Sequence, residues 1–393
     1  MGYDVSETQK LLMLPGPTNV PPRVSRAMLK PLIGHRGPEF KQLHSDVLEK
    51  TKRVFETKGD VFILTSSGTG ATECALQNTV DDGDKVVVTE NGFFSERLTE
   101  AIRAYGGSPI VLRAPWGRTP KIDDFKKILK DNPDTKVLAV VYNETSTGAT
   151  IRCLKELGEL CARQDLLLMV DAISILGGDE LPVDRWNVDV CVTASQKCLM
   201  CPPGLAFVSV SSKAWDKIQK KKTRRSYYFD LPMWKKYREE GFTPFTPSVP
   251  LFYALNEACD MILEEGLPRR FERHKVCAQA VYDSTEAMGL GIYAEKESRS
   301  YTVATIESPP GIDEGKVREL VRTKYGISLG GSLGEAKGKV FRVGVMGNVG
   351  SPEIMTTISA IGSATAELGF KVRISDGLEA ARLTLARLPG RVN

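Results

Sequence analysis

Two side chains with complementary chemistry stand just after predicted strands. Lys197 follows an apolar strand at 188–193 and a short polar run, and Asp171 closes another apolar strand at 166–170. Because ligands bind at the carboxyl ends of parallel strands, both side chains are expected to face one ligand. Pyridoxal phosphate catalysis needs a lysine amine that forms a Schiff base with an aldehyde and a carboxylate that pairs with a protonated pyridine nitrogen. The alternative is that Asp171 and Lys197 are ordinary polar residues at strand ends.

Short apolar strands alternate with helical stretches from residue 61 onwards. Strands are expected near 61–64, 85–88, 109–112, 137–141, 166–170, 188–193 and 205–210, and helices near 72–80, 95–105, 122–131 and 154–164. This alternation predicts an α/β fold with a mostly parallel seven-stranded sheet and helices on both faces. One end of this sheet would carry Asp171 and Lys197.

The segments on either side of the alternation predict the domain organisation. Residues 1–19 are expected to form an N-terminal arm, too rich in proline around Pro15-Gly16-Pro17 for regular structure. A large domain over 20–265 would add helices near 25–29, 40–55 and 251–265. A smaller C-terminal α+β domain over 266–393 would contain helices near 268–288, 313–325 and 352–368 and strands near 301–306 and 339–344.

A run of small polar residues follows the first strand of the predicted sheet. The sequence Thr65-Ser66-Ser67-Gly68-Thr69-Gly70-Ala71-Thr72-Glu73 predicts a turn that opens a helix. Such a turn offers backbone N–H groups, a helix dipole and hydroxyls to a phosphate. It lacks the glycine pattern of dinucleotide sites and the lysine of a P-loop, so the phosphate of pyridoxal phosphate fits better than NAD or ATP. A second small polar run at 143–148 has a plain strand-to-helix loop as its alternative.

A single arginine interrupts the apolar strand at 339–344. Arg342 lies between Phe341 and Val343, and burying a guanidinium among such residues is costly without an anion. Arg342 is therefore either a clamp for a substrate carboxylate or one half of a structural ion pair.

Composition excludes several classes of protein. The chain has 393 residues, of which 41% are hydrophobic and 26% charged, and its net charge is +4. Neither disorder nor a surface for nucleic acid or membrane is expected from these values. The basic run at 217–225 is either a phosphate-contacting patch or a solvated helix end or mobile loop. No apolar run approaches the roughly 18 residues of a membrane span.

Cysteine usage indicates a cellular compartment. Eight cysteines are scattered through the chain without a secretory signal, which favours a reducing cytoplasm over a disulfide framework. Cys198 and Cys201 form a close pair, but with three histidines and no second CxxC motif we expect no metal site.

The motifs, in this order, resemble those of a known family. They are Pro15-Gly16-Pro17-Thr18-Asn19, Ser67-Gly68-Thr69-Gly70, Asn143-Glu144-Thr145-Ser146-Thr147-Gly148, Val170-Asp171, Gly177-Gly178, Ser195-Gln196-Lys197, Pro202-Pro203-Gly204, Thr246-Pro247-Ser248 and Phe341-Arg342-Val343-Gly344. Over nearly its whole length the sequence resembles the class V, fold-type I pyridoxal-phosphate aminotransferases of the alanine-glyoxylate, serine-glyoxylate and serine-pyruvate group. It is similar also to the archaeal aspartate aminotransferases of that lineage.

The resemblance implies pyridoxal 5′-phosphate as the cofactor and a role for each matching residue. Lys197 would bind the cofactor covalently and move the substrate's α-proton, and Asp171 would keep the pyridine nitrogen protonated. Arg342 would bind the substrate carboxylate, and Thr18 and Asn19 would line the substrate pocket. The other implied cofactor contacts are Thr69, Gly70, Ala71, Gln196 and, from the other subunit of a homodimer, Thr246 at the phosphate, Phe94 and Ile173 on the two faces of the ring, and Thr145 near its O3′.

Two positions depart from the family's pattern. Thr243, a further candidate for the phosphate, stands where a close relative has a tyrosine from the partner subunit, so this contact is weaker or passes to another residue. The pair His35-Arg36 is present in aspartate-using and serine-using relatives and absent from some glyoxylate enzymes. Arg36 would either take a second substrate carboxylate or serve at a surface or interface.

The expected protein is a homodimeric aminotransferase that moves an amino group from serine or alanine to glyoxylate or pyruvate by a ping-pong mechanism. An aspartate aminotransferase of the same family is the alternative. A cysteine desulfurase is disfavoured because no cysteine lies in a late Gly/Ser-rich loop, and Phe93 and Phe94 stand where that chemistry uses a histidine. A catalytically silent scaffold would have no chemical need for Lys197, Asp171 and Arg342 together.

Overall fold

A seven-stranded sheet lies at the centre of the fold. The computed structural model describes residues 10–388. In chain order its strands are β1 (Leu11–Met13), β2 (Asp60–Thr65), β3 (Lys85–Glu90), β4 (Ser108–Arg113), β5 (Val137–Val141), β6 (Asn143–Glu144), β7 (Ala149–Thr150), β8 (Leu167–Asp171), β9 (Val190–Ala194), β10 (Leu205–Val210), β11 (Val303–Glu307), β12 (Ile327–Leu329) and β13 (Val340–Gly344).

Helices cover the sheet and form most of the C-terminal region. They are α1 (Pro22–Ala27), α2 (Pro38–Phe55), α3 (Gly68–Thr79), α4 (Phe93–Ala104), α5 (Ile122–Asp131), α6 (Leu154–Arg163), α7 (Ser212–Lys220), α8 (Leu231–Glu239), α9 (Val249–Glu265), α10 (Leu267–Met288), α11 (Glu314–Tyr325), α12 (Ser351–Glu367) and α13 (Ile374–Leu385). Within residues 10–388, no helix has the length and apolar character needed to cross a membrane.

The central sheet has the strand order β2-β10-β9-β8-β5-β3-β4. Neighbouring strands are parallel, except that β10 runs antiparallel to both β2 and β9. The seven strands expected from the apolar runs are the seven members of this sheet, which confirms the predicted mostly parallel architecture. β8 and β9 are adjacent, so the segments that follow them bring Asp171 and Lys197 to the same edge.

Two apolar layers cover the faces of the sheet. Alternate residues of β5 and β8 face opposite layers, because side chains along a strand point to opposite sides. One layer joins Leu138 and Val170 to Phe40 of α2 and Phe252 of α9. The other joins Met169 and its neighbours to α3, α4, α7 and α8. Burial on both faces explains why these strands are continuous apolar runs in the sequence.

The C-terminal region has its own apolar core. β11 and β13 pair antiparallel, and α10 to α13 pack around them. β1 lies in the same core and pairs in parallel with β12, with Leu11 opposite Ile327. The N-terminal arm therefore adds a strand to the region at the opposite end of the sequence. The domain boundaries expected at residues 19/20 and 265/266 stay predictions, and residues 1–9 of the arm lie outside the described residues.

Two expectations about the elements were wrong, and two helices were not predicted. The arm is not wholly irregular, because Leu11–Met13 forms β1 ahead of the prolines. The helix near 352–368 was expected to be the last of the chain, but α13 follows it and packs on α10. The polar region after residue 210 contains α7 and α8, whose few apolar residues, Trp215 and Trp234 among them, contact the sheet.

The basic run at 217–225 is paired within the chain. Lys217 contacts Asp84 at 2.5 Å and Lys221 contacts Asp81 at 3.1 Å, both in the turn before β3. The Lys221 side chain is only 5% exposed. The run is therefore the end of α7 and the loop after it, as one of the expected alternatives had it: Lys220 and Lys222 are exposed, whereas the acidic turn pairs with Lys217 and Lys221.

A buried arginine joins the two regions at the start of α10. Arg270 is 1% exposed and donates hydrogen bonds to the carbonyls of Gly177 at 2.8 Å and Cys198 at 2.6 Å. Its guanidinium pairs with Glu265 at 2.8 Å and lies 3.5 Å from the carbonyl of Gly347. The segment that contains Lys197 and the loop after β13 are thus held by one side chain.

Candidate active site

A cavity that is partly open to solvent lies at the carboxyl ends of β5, β8 and β9. The first turns of α3 and α4 form its other walls. Seven of the residues expected at the site line it: Thr69, Phe94, Thr145, Asp171, Ile173, Gln196 and Lys197. Asp171 and Lys197, expected at one edge of the sheet because each follows a strand, thus line one cavity.

The Lys197 amine is buried and held by the N-terminal arm. Its Nζ donates a hydrogen bond to the carbonyl of Pro15. A Cβ on Gly16 would come within 2.5 Å of the Lys197 side chain, so a glycine is required where the arm crosses the lysine. Burial, reinforced by the charge of Arg342, lowers the pKa of Lys197 to about 8. Near neutral pH a much larger fraction of this amine than of an exposed lysine is therefore neutral and able to act as a nucleophile or accept a proton.

The Asp171 carboxyl stands at the end of β8 beside the lysine. Its Oδ1 accepts a hydrogen bond from the backbone N–H of Ile173 at 3.0 Å. Burial raises the pKa of Asp171 to about 6, and nearby Glu144 adds to the rise. A cationic ring N–H against this carboxylate would favour its ionised form, as the charges of Lys197 and Arg97 already do.

The N-terminus of α3 is a candidate anion-binding site. Ser67 caps the helix: its Oγ accepts from the backbone N–H of Gly70 at 3.3 Å and its carbonyl accepts from Ala71 at 3.2 Å. The backbone N–H groups of Gly68 and Thr69 have no acceptor among the described residues, and both residues line the cavity. The structure thus offers Gly68 and Thr69 to an anion. The backbone N–H groups of Gly70 and Ala71, which were expected there, are already used inside the helix.

Gln196 also suits an absent ligand. Its Oε1 is buried and has no hydrogen-bond partner among residues 10–388. A buried polar atom without a partner is costly and points to a missing donor or a bound group. Gln196 lines the cavity next to Lys197, so a buried acceptor without a partner lies in the wall of the site that a cofactor would occupy.

Phe94 lines the cavity on the first turn of α4, and a buried glutamate fixes that turn. The Glu144 carboxylate accepts hydrogen bonds from the backbone N–H groups of Phe94 at 3.3 Å and Ser95 at 2.8 Å, and from the hydroxyl of Ser146 at 2.6 Å. Glu144 is fully buried. A carboxylate in this position satisfies free N–H groups of α4 and complements its dipole. Glu144 is the one charged residue in its small polar run, yet nothing in that run predicts its contact with α4.

Arg342 is buried at the edge of the site, and among residues 10–388 it has no side-chain partner at hydrogen-bond distance. Its Nε donates to the carbonyl of Gly331 at 2.8 Å and its Nη1 to the carbonyl of Thr145 at 3.1 Å. Burial lowers the pKa of Arg342 to about 10, although Glu144 opposes the shift. These bonds aim the guanidinium and leave its Nη2 for an anion, which suits a carboxylate clamp better than a structural ion pair.

Two residues expected in the substrate pocket instead hold the arm. Thr18 donates from its backbone N–H to the carbonyl of Gln196 and from its hydroxyl to the carbonyl of Lys197, both at 3.1 Å. Asn19 bonds both backbone groups of Leu12 at 2.9 Å. Their polar atoms therefore position the lysine segment and β1, and the expected contacts with substrate stay predictions.

The segment expected to reach a partner subunit lies away from this cavity. Thr246 is exposed, whereas Thr243 is 2% exposed and donates its hydroxyl to the carbonyl of Phe245 at 2.7 Å. Arg36 donates to the carbonyls of Thr243 at 2.6 Å and Pro244 at 2.9 Å, so it braces this loop and does not line the cavity.

The thiols are protonated and lie outside this chemistry. Cys198 and Cys201 are both buried, and burial raises the pKa of Cys198 to about 12. In the described part of the chain, no group of three or more His, Cys, Asp or Glu side chains is arranged to hold a metal ion.

These features together fit pyridoxal phosphate. Lys197 would hold its aldehyde carbon, Asp171 its ring nitrogen, and Gly68 and Thr69 its phosphate. Gln196 supplies an unpaired amide oxygen at the same place, which a protonated phosphate oxygen or ordered water would satisfy.

Comparison with known proteins agrees with this assignment. The family model for class-V aminotransferases matches residues 11–341. An uncharacterized aminotransferase of Methanocaldococcus jannaschii is 44% identical over 384 residues, covering 98% of this chain and 99% of that protein. The serine–glyoxylate aminotransferase of Methylorubrum extorquens is 35% identical, covering 96% of each chain.

A solved structure extends the agreement to three dimensions. The crystal structure of the ureidoglycine–glyoxylate aminotransferase of Bacillus subtilis matches with a TM-score of 0.91 and 30% identity, covering 96% of this chain and 98% of that one. With a lysine, a carboxylate and an anion-binding helix end converging on one cavity, this chain belongs to the class-V aminotransferases, pyridoxal-phosphate-dependent enzymes of fold type I.

Proposed function

We propose that this chain transfers an amino group from a small amino acid, serine or alanine, to a small 2-oxo acid, glyoxylate or pyruvate, in two half-reactions on one site. The observation that carries the proposal is Arg342, a buried guanidinium held by two backbone carbonyls with one edge left for an anion. One such clamp suits the single carboxylate of these substrates. The serine–glyoxylate enzyme at 35% identity gives independent support.

Each residue has a task in the proposed reaction. The cofactor, when bound, withdraws electrons from the substrate's α-carbon and carries the amino group between the half-reactions. Arg342 orients the substrate through its carboxylate, so that the Cα–H bond faces Lys197. Lys197 Nζ takes the proton from Cα and returns it in the reverse half-reaction, a role for which a pKa of about 8 is well matched. Asp171 holds the proton on the ring nitrogen.

Two further features belong to the proposal. The enzyme is a homodimer in which Thr246, exposed in the single chain, contacts the cofactor phosphate of the partner subunit. Thr243 contributes only through the backbone of the same loop, because its hydroxyl bonds Phe245. The enzyme works in the cytoplasm, where its eight unpaired cysteines stay reduced.

Aspartate is the second candidate donor. A second guanidinium, that of Arg97, lines the cavity and would suit a distal carboxylate. Arg36, the residue for which this role was considered from the sequence, is occupied by the carbonyls of Thr243 and Pro244.

The test is a set of single half-reactions. The cofactor-loaded enzyme is mixed separately with serine, alanine and aspartate, and the visible absorbance of the cofactor is followed; glyoxylate or pyruvate is then added. Fast loss of absorbance with serine or alanine, reversed by glyoxylate, is expected. Preferential reaction with aspartate would support the second candidate, and no reaction with any donor would overturn both. A Lys197→Ala variant, which should show no coupled change, is the control.

A further inference from the structure

We infer that Arg97 binds the phosphate group of the cofactor. Arg97 lies on α4, one turn after Phe94, and lines the cavity. Its Nη2 donates a hydrogen bond of 2.9 Å to the hydroxyl of Thr69. Thr69 is one of the two residues whose backbone N–H groups stand free at the N-terminus of α3. The guanidinium therefore lies next to the N-terminus of α3, where these N–H groups would bind an anion. This inference rests on the cofactor site proposed above.

The charges of the cavity require such a residue. A phosphate monoester carries close to two negative charges at neutral pH, and a helix N-terminus supplies only about half a positive charge. Lys197 and Arg97 are the basic residues that line the cavity, and Lys197 is committed to the aldehyde end. Arg97 is thus the cation left in the cavity wall for the phosphate.

Arg97 is available for this role. Within residues 10–388 it has no carboxylate partner, and the nearby Glu73, which also lines the cavity, accepts a hydrogen bond of 2.7 Å from the hydroxyl of Tyr105. The Arg97 guanidinium lies 5.8 Å from the centroid of the Phe94 ring, which supports the side chain without using its donors. A planar fork of N–H donors next to free backbone N–H groups is the arrangement that phosphate oxygens prefer.

The competing role is recognition of the distal carboxylate of aspartate. The position of Arg97 argues for phosphate, because its hydrogen bond goes to α3 whereas Arg342 lies against Gly331 and Thr145. The two roles predict opposite results when a ligand without phosphate is compared with one that has it.

The experiment titrates cofactor-free protein with pyridoxal phosphate and with pyridoxal, which lacks the phosphate, and follows the visible absorbance. In the variant Arg97→Gln, we expect the Kd for pyridoxal phosphate to rise about tenfold or more while the Kd for pyridoxal changes less than about twofold. Arg97→Lys should restore part of the affinity, because it keeps the charge and loses the fork. Arg103→Gln, an exposed arginine near the end of the same helix, is the matched control and should leave both Kd values unchanged.

The possible outcomes are separable. An equal rise in Kd for both ligands would mean that Arg97 is only structural, and an unchanged Kd for pyridoxal phosphate would overturn the inference. If instead only the KM for aspartate rises and that for serine does not, Arg97 binds substrate and the inference is wrong. Failure of the unaltered protein to bind pyridoxal phosphate at all would sink the proposed function itself.

Discussion

Lys197 and Asp171 are shifted by the same cause in opposite chemical senses. Burial disfavours the charged form of each group, so the pKa of the lysine falls to about 8 and the pKa of the aspartate rises to about 6. The two pKa values therefore lie much closer together than those of an ordinary lysine and an ordinary aspartate. A bound cationic ring would lower the pKa of Asp171 again, because a positive charge beside the carboxyl favours its ionised form.

The pKa of Lys197 predicts how fast the cofactor-free enzyme takes up its cofactor. The neutral amine is the reactive form, and with a pKa of about 8 its fraction rises about fivefold from pH 7 to pH 8 and levels off above about pH 9. The rate constant for uptake, followed by stopped-flow absorbance, should follow this curve. A rate that still rises tenfold per unit above pH 9 would mean that the amine titrates like an exposed lysine. In Arg342→Gln, only burial would still lower the pKa of Lys197, so this pKa should lie between that of the unaltered enzyme and that of an exposed lysine. The plateau of the uptake rate should therefore begin at a higher pH than in the unaltered enzyme.

The raised pKa of Asp171 predicts how Asp171→Asn changes the unfolding free energy, and the sign of that change depends on whether the cofactor is bound. Its pKa is raised in the folded state, so its favourable contribution is present at low pH and is lost as the pH rises through about 6. In cofactor-free protein, Asp171→Asn should therefore gain ~3 kcal/mol in unfolding free energy relative to the unaltered protein between pH 4 and pH 7. Urea unfolding measures the difference.

With the cofactor bound, the same substitution should have the opposite effect. An asparagine cannot balance a protonated ring, so Asp171→Asn should gain less stability from the cofactor than the unaltered protein. A pH-independent difference in the cofactor-free form would contradict the assignment of the shift to burial.

At the scale of single residues, the sequence predicts which side chains are reactive better than it predicts which hydrogen bonds they and their neighbours form. Lys197 and Asp171 were predictable because strand ends can be read from apolar runs. The choice between Gly68 and Gly70 was not, because several small residues could cap α3, and only the hydrogen bonds of Ser67 decide which N–H groups stay free. Arg97 is one charged residue among several on a polar helix face, so its sequence context gave no signal.

At the scale of elements, α4 depends on a carboxylate from another element. Glu144 lies on β6 and accepts hydrogen bonds at the start of α4, the turn that carries Phe94. Because Gly92 packs directly against Glu144, a side chain at position 92 would collide with it. The placement of the aromatic ring in the cavity is thus set by a residue about 50 positions away in the sequence.

Removing the charge of Glu144 should loosen α4. In Glu144→Gln the amide keeps the size of the side chain but loses acceptor capacity for several donors, so we expect a loss of ~1–3 kcal/mol in unfolding free energy. Urea unfolding with tryptophan fluorescence gives the value. Glu100→Gln, an exposed glutamate on the same helix, should change stability by less than about 0.5 kcal/mol. Equal effects for the two variants would show that the carboxylate does not anchor α4.

The elements that escaped prediction share a physical reason. β1 has three residues and gains its hydrogen bonds from β12, which no local pattern reveals. α7 and α8 are mostly polar because each buries only a narrow face on the sheet. The central strands, in contrast, were found within about two residues because burial on both faces makes their composition unmistakable.

At the scale of the whole molecule, Arg270 links the central sheet to the C-terminal region. Its guanidinium contacts the carbonyl of Cys198, next to Lys197, and the carbonyl of Gly347 in the loop after β13. β13 itself carries Arg342. A buried charge is costly unless it is paired, and here Glu265 and three carbonyls satisfy it. Arg270 therefore fixes the segment of Lys197 relative to the strand that carries Arg342.

Replacement of Arg270 tests this link. Arg270→Met leaves buried carbonyls without donors and Glu265 with Arg273 as its remaining partner, so we expect a loss of ~3 kcal/mol in unfolding free energy. The exposed Lys275 on the same helix offers the control Lys275→Met, for which the change should stay below about 0.5 kcal/mol. The result would be contradicted if thermal and urea unfolding of the two variants were alike.

The pairing of β1 with β12 also orders events during synthesis. Pro15, which accepts the hydrogen bond of Lys197, leaves the ribosome early, but the strand that fixes its segment, Ile327–Leu329, leaves near the end. At about 5–20 residues per second, a nascent chain waits on the order of ten seconds between the emergence of its reactive lysine and that of the strand. The amine thus acquires its complete surroundings only when translation is almost finished, so an incomplete chain carries an ordinary lysine.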